Sequence, residues 1–236
     1  MIDLVANALQ SNILDLPYID RYGGVVRPVP IRVETEIEGQ YVTKNYPIGR
    51  MVAGGICTEG EQSNIFEPNA DFKSVSYLEQ VETLASVRIA PYKYNVRENV
   101  WLFRERFRFV CWMNITQFSK YIVDPMSGEP MVDGEGNAPV EPYISTTRFE
   151  LAALKAVVGK YEILAEENEG LLGKMKVEPY GVVRHSPREV FGRYEYSEYE
   201  WAFVYPYDFF AVEFETEILI PSSCIGEMEA GIPIKC

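Results

Sequence analysis

The feature that most constrains the fold of this chain is a strict two-residue alternation over residues 99–115. Apolar side chains occupy the odd positions from Trp101 to Ile115. The basic residues on the even positions are Arg104, Arg106 and Arg108. Successive side chains of a strand point to opposite faces of a sheet, so the pattern predicts one long strand with an apolar and a basic face. Glu105 is the charged exception on the apolar face, and we expect it at a sheet edge or paired with an arginine.

Two other segments alternate in the same way but place acidic residues opposite the apolar ones. Residues 199–220 predict a long final strand, interrupted by Pro206 at a bulge or an edge position. Its acidic face carries Glu213, Glu215 and Glu217. Residues 29–38 predict a half-buried strand that turns at Glu38-Gly39-Gln40 into a second strand. Its acidic face carries Glu34, Glu36 and Glu38.

Helical signals are fewer than strand signals. Residues 2–14 carry apolar side chains at helical spacing over about three turns. Thr147-x-x-Glu150 is typical of a capping box that opens a second helix. Ser186 followed by Pro187 predicts a short third helix to about Arg193, because serine caps helices and proline is favoured at their first position.

The remaining segments complete the organisation. Gly23-Gly24 predicts a turn, and residues 74–78 and 84–89 predict two short strands. The order of elements favours an α+β fold, mainly an antiparallel sheet covered by helices. We expect a single domain over residues 1–220 with an exposed insertion loop or arm at about 119–145, followed by an extended C-terminal tail over residues 221–236.

The net charge of the chain limits the classes of molecule that we expect it to bind. Twenty-two basic and 35 acidic residues give the 236-residue chain a net charge of −13. An acidic surface repels phosphate backbones, which argues against a protein that reads nucleic-acid sequence. The apolar runs are all shorter than the roughly 18 residues that a membrane-spanning helix needs. The first four residues lack the basic start of a signal peptide, so we expect assembly in a reducing cytoplasm.

Signals for catalysis or metal binding are weak. His185 is the single histidine, and the chain has neither a G-x-S-x-G sequence nor a glycine-rich phosphate loop. No C-x-x-C pair occurs among the four cysteines, which are Cys57, Cys111, Cys224 and Cys236. The sequence therefore predicts no catalytic residue, no metal site and no cofactor.

We call Arg104, Arg106 and Arg108 the arginine ladder, and Glu213, Glu215 and Glu217 the glutamate ladder. These ladders allow two interpretations. They pair across neighbouring strands on the solvent face of one sheet, or they lie on opposite edges of the subunit. In the second case the basic patch of one copy meets the acidic patch of the next, and such heterologous contacts close into rings whose lumen the surplus acid would line. The aromatic run that includes Tyr199 and Trp201 is assigned either to the core or to this subunit interface.

Several short motifs resemble neck and tail ring proteins of crAss-like bacteriophages. They are Leu16-Pro17-Tyr18-Ile19-Asp20-Arg21-Tyr22-Gly23-Gly24, Ser74-Val75-Ser76-Tyr77-Leu78-Glu79 and Phe109-Val110-Cys111-Trp112-Met113-Asn114. The ending Tyr205-Pro206-Tyr207-Asp208-Phe209-Phe210-Ala211-Val212-Glu213-Phe214 is similar to the closing strand of tail terminator or tail completion proteins. The resemblance implies a tail terminator-like α+β domain and a homo-oligomeric ring of six or twelve subunits beside the portal or an adjacent neck or tail ring.

The sequence thus leads to a non-enzymatic virion protein of the neck or tail, a head-to-tail connector or tail terminator through which DNA passes without specific binding. We expect it in the virion after assembly in the host cytoplasm, with no membrane partner. The alternatives are another minor virion protein (portal-proximal or baseplate), a hydrolase of unrecognised family, and a monomeric binding module that docks through its aromatic strand.

Overall fold

The structure is a computed structural model. It describes residues 2–16, 18–35, 39–49, 52–53, 56–57, 63–64, 72–88, 100–117, 146–164, 171–184 and 186–221. The predicted insertion at 119–145 and the predicted tail after residue 221 lie outside the described residues.

The described residues form three α-helices, two 3-10 segments and ten strands. The α-helices are α1 (Ile2–Leu14), α2 (Thr147–Val157) and α3 (Pro187–Phe191). The 3-10 segments are Ile115–Gln117 and Ser197–Phe203. The strands are β1 (Arg21–Glu34), β2 (Tyr41–Gly49), β3 (Val52–Ala53), β4 (Ile56–Cys57), β5 (Ser63–Asn64), β6 (Ser74–Arg88), β7 (Val100–Asn114), β8 (Gly159–Leu164), β9 (Leu171–Arg184) and β10 (Tyr207–Pro221).

The strands form one mixed, mainly antiparallel sheet, which confirms the α+β class. Its order is β4-β3-β1-β6-β7-β10-β9-β8, with β2 paired to β1 and β5 paired to β2. The pair β1–β6 is parallel and the other recorded pairs of the described strands are antiparallel. Strand β7 lies between β6 and β10, so it is a central strand.

The sheet has a packed core on each face because the alternation of β7 and β10 supplies apolar residues to both. The odd residues of β7, such as Phe107 and Phe109, pack with α1 and α2. On the opposite face, Val110 and Trp112 pack beneath α3 and the segment Ser197–Phe203. The second core covers only part of that face, and the charged ladders continue where it ends.

Several predicted elements are confirmed. The helix over residues 2–14 buries Val5, Leu9 and Ile13 completely. Helix α3 begins at Pro187, as predicted, although it ends at Phe191 rather than near Arg193. The predicted hairpin is present, with residues 27–34 of β1 paired to residues 41–48 of β2, but its first strand is exposed on both faces over residues 27–32 rather than half-buried.

Other predictions are wrong for local physical reasons. Gly23-Gly24 does not form a turn but lies inside β1, where the pairing with β6 shifts register between Tyr22 and Val25 and Gly24 has a φ of +58°. The two short strands predicted over 74–89 are one continuous strand to Arg88. The helix predicted from Thr147 and Glu150 is present as α2, but its N-cap is Thr146, one residue before the predicted capping position.

The final strand is also shorter than predicted. It begins at Tyr207, and residues 197–203 form a 3-10 segment instead of a strand. Pro206 therefore lies just before the strand, after a cis Tyr205–Pro206 peptide bond. The segment folds over the sheet because Trp112 donates its indole N–H to the Ala202 carbonyl at 2.7 Å, within the second core.

Candidate assembly surface

The arginine and glutamate ladders face each other within a single chain. In the register of β7 with β10, Arg108 lies opposite Glu213, Arg106 opposite Glu215 and Arg104 opposite Glu217. Arg104 Nη2 lies 2.7 Å from Glu217 Oε1. The prediction that the two ladders occupy opposite edges of the subunit is therefore wrong, because they occupy adjacent central strands where cross-strand neighbours pair.

The arginine in the middle of its ladder forms a diagonal ion pair instead of a direct cross-strand one. Arg106 Nη2 lies 2.9 Å from Glu213 Oε2 rather than from Glu215, its direct neighbour. The Arg106 guanidinium also stacks 3.7 Å from the ring centre of Tyr180. The hydrogen bond from Arg106 to Glu213 raises the pKa of Arg106. Each of these contacts stays within one subunit, so the ladder is used for the fold.

Glu105, the exception in the alternation, is fully buried on central strand β7. It accepts a hydrogen bond from the Gln80 side chain of the neighbouring strand β6. It thus lies on a central strand rather than at a sheet edge, and a neutral amide of the adjacent strand binds one of its two carboxylate oxygens.

The third arginine of the ladder turns away from β10 and binds Glu79 of β6. Arg108 Nε lies 2.6 Å from Glu79 Oε2, and both side chains are buried. Arg108 also donates from Nη1 to the Glu189 carbonyl of α3 at 3.1 Å. Burial lowers the pKa of Arg108, but the charge and hydrogen bond of Glu79 outweigh it, so the net pKa is raised.

Glu79 is the centre of a wider polar cluster. Its other carboxylate oxygen, Oε1, accepts from the Tyr194 hydroxyl at 2.9 Å and from Arg193 Nη1 at 3.3 Å. Burial, followed by the nearby Tyr77 and Glu79, raises the pKa of Tyr194, so the phenol stays protonated as a donor. We define Glu79, Arg108, Arg193 and Tyr194 as the Glu79 cluster. Such a completely buried carboxylate requires these donors, since an unpaired charge there is strongly unfavourable.

The Glu79 cluster marks the place where the sheet splits. Strand β1 follows β6 only as far as Val26, which pairs with Glu79. Beyond that point β6 continues beside β7 to Arg88, whereas β1 pairs with β2. Arg193 donates from Nη1 to the Gln80 carbonyl at 2.8 Å, just past the split. The guanidinium thus provides a donor for a carbonyl of β6 that lies beyond the stretch paired with β1.

After the split, β1 and β2 form an antiparallel hairpin that projects from the sheet. We call residues 27–34 and 41–48 the hairpin arm. Residues 27–32 are all exposed, so neither face of this part of β1 is covered by the described residues. The register places Val33 opposite Val42 and Ile31 opposite Lys44 on one face. Exposed apolar residues of the arm are Val29, Ile31, Tyr41 and Val42.

Three prolines are tolerated in the arm because each occupies a position whose N–H group would point away from the paired strand. The Thr35 N–H donates to the Gln40 carbonyl at 2.8 Å, so hydrogen-bonded pairs fall on the odd residues of β1. Pro28 and Pro30 lie on even positions, and Pro47 lies opposite Pro28. Their missing N–H groups would point away from the ladder, so the hairpin loses no internal bond.

The base of the arm is tied to the segment that carries the Glu79 cluster. The Glu195 N–H donates to the Asn45 carbonyl of β2 at 2.7 Å. Hydrogen bonds from Ser197 lower the pKa of Glu195, and the charge of Lys44 in the arm adds to this effect. Three consecutive residues therefore bind three parts of the molecule: Arg193 binds β6, Tyr194 binds the buried carboxylate of Glu79, and Glu195 binds the arm. These contacts fix the direction in which the arm leaves the sheet.

The other predicted interface residues have different surroundings. Tyr199 is half-buried and packs against the second core, whereas Trp201 is 44% exposed and contacts Tyr207 edge-on at 5.3 Å. Glu34 lies exposed near the end of the arm and accepts from the Gly39 N–H at 3.2 Å. Glu36 and Glu38 lie outside the described residues, as does His185.

A small cavity of about 190 Å³ opens beside the ladder. The residues that line it are Glu82, Arg104, Glu105, Arg106, Tyr180 and Glu215. Within the described residues, no group of three or more histidine, cysteine, aspartate or glutamate side chains is arranged to hold a metal ion. In the same part of the chain, no helix combines the length and apolar character needed to cross a bilayer.

Sequence reasoning missed the split in the sheet and the Glu79 cluster that supports it. The signal for the arm was present in the spacing of Pro28, Pro30 and Pro47, which suits a two-stranded ribbon whose edges are open. No local signal marked Glu79, because its partners come from residues about 30 and 115 positions later in the chain.

Comparisons with known proteins add no relatives: no protein family model, curated protein or solved structure matches this chain.

Proposed function

We propose that this protein is a structural virion component that forms an oligomeric ring in the neck or tail of a crAss-like tailed bacteriophage, as a head-to-tail connector or tail terminator. The proposal combines the resemblance of the sequence motifs with one structural observation. That observation is the hairpin arm, which exposes apolar side chains and is fixed at its base.

The arm supports a role in assembly because its exposed apolar surface is unfavourable in an isolated subunit. Ile31 and Val42 are each at least 40% exposed on the same apolar face. Apolar surface gains free energy when it leaves water, at roughly 25 cal/mol per Å². Clustered exposed apolar residues on a projecting element are typical of a surface that another subunit covers.

The rigid base of the arm supports the same role. A binding element held at one angle loses less conformational entropy on association than a flexible one. The bond from Glu195 to Asn45 and the buried Glu79 cluster hold that angle. The charge ladders now have a different place in the proposal: because Arg104 and Arg106 are paired within the chain, the arm replaces the ladders as the first candidate for a subunit contact.

The net charge of −13 supports passage of DNA without adhesion. In the proposed ring, Glu34 with Glu36 and Glu38 faces the lumen, where like charge repels the phosphate backbone. DNA is thus a passing partner, the neighbours are the portal or an adjacent neck or tail ring, and the proposal assigns the protein no catalytic role and no cofactor.

Electron microscopy of the purified protein, together with mass spectrometry of purified phage particles, tests the proposal. We expect closed rings with a central channel wide enough for duplex DNA, and the protein among the virion components. A strictly monomeric protein that is absent from particles would refute it. Presence in particles at the baseplate or inside the head would instead identify a different virion part.

A further inference from the structure

We propose that neighbouring copies join by strand addition, in which β2 of one copy's hairpin arm pairs with the open outer edge of β9 in the next copy. The inference rests on the proposed ring and names the contact that builds it. Three observations support it, from the edge of β9, the position of the arm and the chemistry of the arm's edges.

Strand β9 is only partly covered on its outer side. Strand β8 pairs with residues 171–177, and no described strand pairs with residues 178–184 on that side. The uncovered stretch exposes two large apolar side chains, since Tyr180 is 55% exposed and Val182 is 43% exposed. An open strand edge presents backbone donors and acceptors, which are a template for a strand from another chain, and because Pro179 and the register shift at Tyr180 interrupt this edge, its regular part begins at Gly181.

The arm and this edge lie at opposite sides of one subunit. In the sheet order, β6, β7 and β10 separate β1 from β9. With strands about 4.8 Å apart, the two surfaces are roughly 20 Å from each other across the sheet. One copy therefore cannot pair its own arm with its own β9 edge, and a contact between copies is head-to-tail, the kind that closes into rings.

The arm offers β2 rather than β1 for pairing. Pro28 and Pro30 remove two of the donors that β1 would present on its outer edge. Strand β2 loses an outward donor only at Pro47, near the base of the arm, and keeps those of Tyr41 and Thr43, which lie opposite even residues of β1 so that their N–H groups point outward. Both residues are exposed, as an accessible edge requires.

A pair of proline variants tests which edge is used. Thr43→Pro removes an outward donor of β2, whereas Arg32→Pro, at the position directly opposite, removes an outward donor of β1. Neither change breaks a backbone hydrogen bond between the two strands of the hairpin, although Arg32→Pro removes the stacking of Arg32 on Tyr41. We expect Thr43→Pro to raise the dissociation constant for self-association by at least about tenfold, since a lost hydrogen bond is joined by a steric clash, and Arg32→Pro to leave assembly intact.

A mixing experiment tests the head-to-tail geometry. Val182→Lys places a charged lysine on the β9 edge, and a charged side chain on an edge strand opposes the addition of another strand. Thr43→Pro and Val182→Lys should each be monomeric alone, and an equimolar mixture should form a dimer and nothing larger, because one intact arm then meets one intact edge. Light scattering after size-exclusion chromatography measures the masses, and circular dichroism verifies that each variant is folded.

The outcomes separate this contact from the proposed ring. If the wild type forms rings but Thr43→Pro does too, strand addition is refuted and the ring stands. Equal loss of assembly in both proline variants, or a mixture that stays monomeric, also refutes it. A monomeric wild type refutes both proposals.

Discussion

Arg108 and Glu79 form a buried ion pair, with Nε and Oε2 2.6 Å apart, at the point where β1 leaves β6 and the hairpin arm begins. The same carboxylate accepts from Tyr194 and Arg193, so one side chain of β6 binds the arginine of β7 and the segment that follows α3. This relationship links the packed sheet to the direction of the arm.

Replacement of Glu79 by alanine is expected to destabilise the protein strongly. The substitution leaves Arg108 buried without its carboxylate, and breaking one partner of a buried pair typically costs about 3–5 kcal/mol. Chemical denaturation measures the change in the free energy of unfolding.

Glu217→Ala is the matched control because it removes the exposed partner of Arg104 from the same ladder, where both side chains are about 40% exposed. An exposed pair contributes about 0–1 kcal/mol, so its loss should be small. Equal effects of the two substitutions would contradict the central position assigned to Glu79.

Gly24→Ala is expected to destabilise the fold by about 1–2 kcal/mol, because Gly24 has a φ of +58° and an L-residue with a side chain is strained there. The space around it is open, so the penalty comes from the backbone and not from a clash. Gly181→Ala is the control, since Gly181 also has open space and lacks a positive φ. A neutral Gly24→Ala variant would show that the register shift in β1 does not require glycine.

The long strands could be predicted because their cause is local. Alternation alone determines which residues of β7 and β10 share a face, so Arg104 and Glu217 were correctly placed on solvent-facing sides of their strands. Their mutual pairing depends on strand order, which a two-residue period does not encode. The same pattern therefore fits both adjacent strands and opposite edges.

Two errors show where tertiary structure overrides local signals. Gly23-Gly24 is typical of a turn, yet the pairing of β1 with β6 continues through it as a register shift, for which a positive φ is equally suitable. The aromatic alternation after Tyr199 is typical of a strand. The Trp112 indole instead donates a hydrogen bond to the Ala202 carbonyl, and the segment folds over the sheet. In each case a partner distant in sequence decides between two local conformations.

Cys111 is expected to resist alkylation in the folded protein. Burial raises the pKa of its thiol well above the ordinary value, so the reactive thiolate is depleted at neutral pH and the sulfur is inaccessible. Mass spectrometry of iodoacetamide-treated protein should find the Cys111 peptide unmodified before denaturation and modified after it. Rapid labelling of the native protein would contradict the packing of the first core.

The attachment of the arm is expected to weaken in acid through Glu195. Its folded pKa is lowered by bonds from Ser197 and by the charge of Lys44, so its stabilising contribution is present above the ordinary glutamate pKa of about 4.3 and is lost as the pH falls through the lower folded value. The difference in unfolding free energy between wild type and Glu195→Gln should therefore be largest near neutral pH and vanish in acid.

Hydrogen exchange distinguishes this local effect from general acid denaturation. The amide of Glu195, which donates to Asn45, should lose protection in acid before the central residues of β7 do, because the arm contact opens without unfolding the sheet. In Glu195→Gln that amide should exchange faster already at neutral pH and change less with pH. Simultaneous loss of protection at Glu195 and in β7, with no difference between wild type and variant, would show that the carboxylate does not hold the arm.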